Sequence, residues 1–326
     1  MPSKAVCRVV RRSRALFGNA ARYLLCHSGC SAQLTKWHKS SAIVMYHGVE
    51  SWLAGSFESQ LQYLAKNFEV VPLDEILSRV LGNSRTSNGL VALTFDDGFR
   101  NNYTVAYPIL RKLCLPATFF VCPGLIGRSR SIWTHEMRTR LKHLEPDDRK
   151  RFYHMAGVYD VEDTRRVVTW LKTIPVRSRE QVEEEIHKLT PGFSFSEEEH
   201  ERFDLMNWDE LMALDRSLVA VGSHTLSHPD LTLIEPPRLQ LELSASRKQL
   251  EERLGRAVYH LAYPFGAFNE AVQRSASKFY RSAVTVRCGG VGREDNPFGL
   301  KRIETDFDLP RFAWRLAWHM SLDHRC

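Results

Sequence analysis

From residue 42 onward, short apolar runs alternate with segments of helical period, and this alternation constrains the fold of the 326-residue chain more than any other feature. Strand and helix in steady succession mark βα units built around a mainly parallel sheet. The strands expected are Ala42–Tyr46, Leu90–Phe95, Ala117–Val121, Val219–Ser223, Leu261–Tyr263 and Ser282–Val286. Phe57, Leu61 and Leu64 share one helical stripe, and Leu239, Leu243, Leu250 and Leu254 share another in the segment after Pro236. Residues 128–205 break the rhythm. They are charged and helical in character, with Arg165-Arg166 and Glu183-Glu184-Glu185 expected on solvated faces, and read as an insertion packed over or beside the sheet. No run approaches the roughly 18 consecutive apolar residues of a membrane-spanning helix.

The formal charge of +7 is unevenly placed. Residues 1–40 carry eight basic residues (Lys4, Arg8, Arg11, Arg12, Arg14, Arg22, Lys36 and Lys39) and no acid, which leaves 37 bases (45 less 8) against 38 acids in the rest. The basic character belongs to an arm and not to the body, which argues against nucleic-acid binding by the main domain. On a helical projection Lys4, Arg8, Arg11, Arg12 and Arg22 share one side, and Val6, Val9, Leu16, Phe17, Ala20 and Leu24 the other. That is the pattern of an amphipathic helix at a membrane surface, and equally of a helix docked on its own domain or of an Arg-rich transit segment. No uninterrupted apolar core or small-residue cleavage pattern marks a secretory signal. Seven cysteines (Cys7, Cys26, Cys30, Cys114, Cys122, Cys288 and Cys326) form an odd set without repeated spacing. Reduced thiols in a cytoplasmic protein, peripheral at the inner membrane face, are the expectation. The domains expected are the arm, 1–40, and a barrel over 41–326.

In parallel α/β folds chemistry gathers at the carboxyl ends of the strands, so the polar residues directly after each apolar run matter most. The run Val91–Phe95 ends in Asp96-Asp97-Gly98. Two adjacent carboxylates at the mouth of a buried strand repel each other unless a cation or hydrogen bonds compensate. Alone, the tripeptide also reads as a helix cap and turn. The run Val219–Ser223 ends in His224-Thr225-Leu226-Ser227-His228-Pro229. Two histidines four apart can converge on one ion, and Pro229 favours a loop over a helix at His228. Together the two strand ends supply His, His and Asp, three ligands that leave a coordination position open.

Thr94-Phe95-Asp96-Asp97-Gly98 and Ser223-His224-Thr225-Leu226-Ser227-His228 resemble the first two motifs of the polysaccharide deacetylases, the family 4 carbohydrate esterases that include the nodulation-type chitooligosaccharide deacetylase domain. Leu261-Ala262-Tyr263-Pro264-Phe265-Gly266 is similar to a motif of an exopolysaccharide branch of that family. The resemblance runs from about residue 42 to 286 and omits residues 1–40 and most of the insertion. It implies an α/β fold, a distorted (β/α)7 barrel, here with a helical insertion and a basic N-terminal helical arm. It implies a metal-dependent hydrolase that removes acetyl groups from an N-acetylated sugar of a polysaccharide, oligosaccharide or glycolipid precursor. Asp96 would be the general base, and Asp97, His224 and His228 would hold a divalent metal. Zinc suits two imidazoles and a carboxylate well, with Co2+, Ni2+ or Mn2+ as alternatives. Phe265, through its backbone N–H, would bind the oxyanion, and Tyr263 and Pro264 of the same turn would be oxyanion or substrate residues with it.

The sequence departs from the family pattern in two places. The arginine that orients the base in the better-known branch is replaced by Ala262, and Arg302, in Leu300-Lys301-Arg302-Ile303, is the candidate substitute. The late histidine motif that carries the general acid has no match. His47, after the first strand, and Trp133, able to stack on a sugar face, are candidate pocket residues. The second reading is a carbohydrate-binding or scaffold protein of the same fold with weakened catalysis.

Overall fold

The structure is a computed structural model that describes residues 40–82, 89–128, 130–159, 163–293 and 295–321. The basic arm, Cys7, Cys26, Cys30 and Cys326 lie outside the described residues. Eight strands follow one another along the chain: β1 (Ala42–Tyr46), β2 (Glu69–Val70), β3 (Leu90–Phe95), β4 (Ala117–Val121), β5 (Val219–Ser223), β6 (His260–Ala262), β7 (Ser282–Cys288) and β8 (Leu300–Glu304). Every pairing among them is parallel. Because β1 pairs with both β3 and β8, seven strands close into a ring, and β2 touches only the first two residues of β3.

Strand alternation divides the side chains between two cores. Ile43, Ala92, Phe120, Ala262, Val284 and Leu300, each from a different strand, belong to one buried cluster and fill the barrel. Gly222 is the corresponding position of β5; a Cβ there would collide with the Phe120 ring, so the glycine makes room for the largest side chain of that layer. Residues of opposite parity, such as Val91, Leu93 and Phe95, face out and join the helices. Those helices include α1 (Ala54–Asn67), with Phe57, Leu61 and Leu64 fully buried, whereas α2 (Leu73–Val80) adds Leu73, Ile76 and Val80 to the inner cluster; α3 (Tyr107–Leu113) packs outside with α1.

Between β4 and β5 the chain forms α4 (Trp133–His143), α5 (Pro146–Met155), α6 (Thr164–Leu171), α7 (Val176–Leu189) and α8 (Glu197–Phe203), then the short α9 (Trp208–Met212). The first four of these share their own apolar core, in which Met137, Leu141, Phe152, Val167, Leu171 and Ile186 are buried. Arg165 and Arg166 are exposed as expected, whereas Glu183 and Glu185 are half-buried. After β5 come α10 (Pro236–Leu254), α11 (Glu270–Ala276) and α12 (Leu309–Ser321). The leucine stripe of α10 is buried at all four expected positions.

Two strands escaped the sequence reading. β2 has only two residues, too few to register as a run, and β8 reads Leu-Lys-Arg-Ile-Glu, too charged to look buried. The second case has a structural cause, since Arg302 points the way Leu300 does, into the barrel.

Candidate metal centre and catalytic site

Residues just beyond β3 and β5 meet at the carboxyl end of the barrel. Asp97, His224 and His228 are all buried, and one donor atom from each lies within 4.8 Å of the others. His224 Nδ1 faces the carbonyl oxygen of Ala262 at 2.8 Å. A carbonyl only accepts, so the ring proton sits on Nδ1 and the Nε2 lone pair faces Asp97 Oδ1, 3.4 Å away. His228 Nε2 is 3.3 Å from the same oxygen. A carboxylate oxygen and imidazole lone pairs at such distances repel unless a proton or a cation lies between them. Ligands sharing a tetrahedral zinc with bonds of about 2.0–2.1 Å stand about 3.3–3.4 Å apart, so both the donor set and its spacing fit a divalent metal.

Electrostatics point the same way. Burial alone would raise the Asp97 carboxyl, but His135, His224 and His228 together hold it well below the usual carboxylate range. Burial pushes His228 down to about 4, with His224 and His135 adding to the fall against the pull of Asp97, so at neutral pH its ring is uncharged and its lone pair free. His224 moves up, because Asp97 and Asp96 more than offset the effect of its burial.

Asp96 lies beside this triangle and is buried to the same degree. Arg302 meets it edge to edge, with Nη1 on Oδ1 at 2.7 Å and Nη2 on Oδ2 at 2.6 Å. The Arg302 Nε donates to Thr285 O at 2.8 Å, and Nη1 also reaches Thr94 Oγ1 at 3.2 Å, which fixes the fork from behind. Burial would raise the Asp96 carboxyl; the charge and hydrogen bonds of Arg302, helped by His224 and His47, bring it below its ordinary value. β1 and β3 run in register with Tyr46 opposite Phe95, so His47 stands opposite Asp96 one residue beyond both strands. Unlike the other histidines of the centre, His47 is exposed. Asn101 holds its loop by accepting from Val49 N at 3.1 Å.

The turn after β6 corrects two sequence expectations. The Tyr263 side chain is fully buried, its hydroxyl donates to Phe298 O at 3.1 Å, and its ring stacks on Phe268, so it packs the barrel rather than facing the centre. Pro264 is buried as well. Phe265 alone turns toward the histidines, with its ring 4.8 Å from that of His228. Trp133 is likewise no open stacking platform. It is 7% exposed, donates through Nε1 to His228 O at 3.1 Å, and meets Phe265 edge-on.

The backbone here adopts conformations that L-residues rarely occupy. Asp97, Thr225, His228 and Phe265 have φ between 59° and 69°, and among the described residues only Cys114 shares that sign without being glycine. Such outliers persist where the surroundings over-determine them. At the histidine loop the surroundings are Glu242 of α10, a buried carboxylate that accepts from Leu226 N and Ser227 N, both at 2.9 Å, and from Ser227 Oγ at 2.6 Å. Thr225 Oγ1 accepts from His228 N at 3.0 Å.

Glu242 was missed in the sequence, although a carboxylate beside Leu239 and Leu243 on an apolar stripe was a usable signal. His135 was missed too. Its Nε2 is 3.9 Å from Asp97 Oδ2 and its ring stacks on Phe203 at 4.6 Å. Nothing in the spacing of the insertion singled it out. Past Phe203 a cavity of about 500 Å3 opens between the insertion and the loops of the barrel, with Phe193, Phe195, Arg100 and Arg140 in its walls.

Comparison with known proteins agrees with this architecture. The polysaccharide deacetylase family profile matches residues 83–283. YxkH of Bacillus subtilis (strain 168), which carries the name of a polysaccharide deacetylase, is 20% identical over 268 residues, covering 80% of this chain and 70% of its own. The Streptococcus pyogenes deacetylase PplD, solved with acetate, superposes with a TM-score of 0.57 at 19% identity, over 87% of this chain and 99% of that one. IcaB from Ammonifex degensii gives the same TM-score at 18% identity, over 87% and 98%. At these identities the structural likeness speaks for the fold. The family profile, which covers well over half of the residues, carries the further conclusion: this chain belongs to the polysaccharide deacetylase family.

Proposed function

We propose that this deacetylase hydrolyses the acetamide of an N-acetylated sugar in a polysaccharide, oligosaccharide or glycolipid precursor, and that it does so with a divalent metal, zinc being the best match to the donors. The observation that carries the reading is the convergence of Asp97, His224 and His228 beside a separate carboxylate, Asp96, that is held by its own arginine. A divalent ion on those three side chains would acidify a water and polarise the acetyl carbonyl.

The chain's own groups supply the rest. Asp96, kept ionised by Arg302, takes the proton of the attacking water, and the fork of two hydrogen bonds fixes the direction in which its oxygens point. The Phe265 backbone N–H, turned by its left-handed φ of 59°, is the donor for the developing oxyanion. The leaving nitrogen needs a proton, because an amide nitrogen departs poorly as an anion. His47 is the exposed imidazole opposite the base and is assigned that role. The reading of the chain as a carbohydrate-binding protein with weakened catalysis loses one of its two motives, because Arg302 supplies a cation to Asp96.

The acid-free arm adds a place of action. Its eight bases would draw the enzyme to an anionic membrane surface from the cytoplasmic side.

Acetate release from N-acetylated chitooligosaccharides tests the main reading. Release that stops with chelator and returns with zinc is expected. No acetate from any acetylated glycan in a broad panel, with metal supplied, would remove it.

A further inference from the structure

The insertion turns a face toward the metal centre, and that face is nitrogen-rich. His135 is on α4, with a buried Nδ1 that has no hydrogen-bond partner. Arg138 is one turn further along the same face of α4. It is half-buried, its Nε is enclosed without an acceptor, and the charges that act on it are those of Arg165 and Arg202, both of its own sign. Lys172 caps the end of α6 and places its Nζ 4.4 Å above the centre of the Phe265 ring, which also meets the rings of His228 and Trp133. Arg138 is close enough for its charge to oppose that of Lys172.

Among the described residues neither Arg138 nor Lys172 has an ion pair with a carboxylate. Other cations of the same insertion do. Arg140 has Glu136 at 2.8 Å and Arg179 has Glu183 at 2.7 Å. Asp97, the candidate metal ligand, is the opposite charge that acts on Lys172, and it does not pair with it. Partly dehydrated like charges that lack a carboxylate partner of their own are unfavourable until an anion arrives between them. They stand where a substrate would lie, one above the residue assigned to the oxyanion and the other a turn from His135, whose Nε2 is 3.9 Å from Asp97.

We propose that Arg138 and Lys172 form an anion-binding subsite over the metal centre, and that the acetylated sugar taken by this enzyme carries an oxyanion, a phosphate or a carboxylate, next to its acetamido group. The proposal rests on the deacetylase reading of the centre below it. Arg138 offers a planar fork and Lys172 a point charge, a combination suited to an oxyanion approached from two sides.

The test is calorimetric binding to the zinc-loaded full chain. The probes are N-acetylglucosamine 1-phosphate, N-acetylmuramic acid and neutral N-acetylglucosamine, each titrated into the unchanged protein, Arg138→Gln, Lys172→Gln and the double variant. A charged sugar is expected to bind about tenfold or more tighter than the neutral one, and each single substitution to remove about a factor of ten. The double variant should show no preference, and Lys172→Arg should restore most of it. Whether the phosphate or the carboxylate gains more identifies the anion. Thermal melting and zinc content report whether each variant is folded. If the double variant is not folded, the singles and the weakening of the preference by salt in the unchanged protein decide the matter. Equal binding of charged and neutral sugars, no binding of the charged ones, or a preference that survives the substitutions overturns the proposal. Acetate release is followed separately: a charge preference without acetate from any sugar sinks the deacetylase reading and leaves the subsite standing.

Discussion

Replacing Arg302 by methionine probes the link between fold and chemistry most directly. The change keeps the barrel interior filled but removes two charge-assisted hydrogen bonds of 2.6 and 2.7 Å from a carboxylate that is 2% exposed. Breaking a buried pair by deleting one partner costs about 3–5 kcal/mol, because the other charge is left uncompensated. The loss has a pH signature. In the native protein Asp96 titrates below its ordinary value, so its contribution is present above the unfolded pKa and disappears as pH falls through the folded one. In the variant burial outweighs the smaller pull of His224 and His47, so the carboxyl titrates higher than in the unfolded chain and ionisation opposes folding as pH rises. The stability gap between the two proteins should therefore narrow on acidification from pH 7 toward pH 4, by up to about 1.4 kcal/mol per pH unit. Urea unfolding in the presence of chelator, at several pH values, measures the gap. A difference under about 1 kcal/mol at pH 7, or one that is flat with pH, would refute the view that Arg302 keeps Asp96 ionised inside the fold. Arg302→Lys, which keeps the charge and loses the fork, should fold better than the methionine variant yet still lose about 100-fold in kcat.

Three further outcomes separate the roles of the other groups. Asp96→Asn should retain metal while kcat falls by about 10²–10⁴-fold, whereas His228→Ala should lose the metal itself, as read by elemental analysis alongside acetate release. Glu242→Ala releases the loop that carries both histidines and should weaken zinc about 10–100-fold in competition with a chelating dye; unchanged affinity would show that the loop holds its shape without this carboxylate. In flotation with anionic vesicles the full chain should rise with the lipid and a chain begun at residue 41 should not; equal partitioning would remove the membrane role of the arm.

Much of the barrel was legible because its strands are buried on both faces and so read as unbroken apolar runs. The candidate metal triangle was legible for a related reason: Asp96-Asp97 and His224 follow such runs, where polar residues stand out. Legibility failed where function put charge inside the fold. β8 hides in a charged pentapeptide because one of its inward positions is Arg302, whose partner is 206 residues away. The helices of the insertion could be anticipated, but the reach of His135 and Lys172 to the centre depends on how α4 and α6 pack on the barrel, and no local period encodes that. Tyr263 and Pro264 misled because motif neighbours share a turn without sharing a direction: one residue of the turn faces the histidines while the two before it face the core.

The closure of the ring by β8 has a consequence for biosynthesis. Until the last strand docks between β7 and β1, Asp96 lacks its cation and the barrel would have to enclose a bare negative charge. The segments that bring Asp97, His224 and His228 together all precede β8, whereas Asp96 settles in the fold only once residue 302 is in place. On the function proposed above, hydrolytic competence would arrive only when this final stave is set.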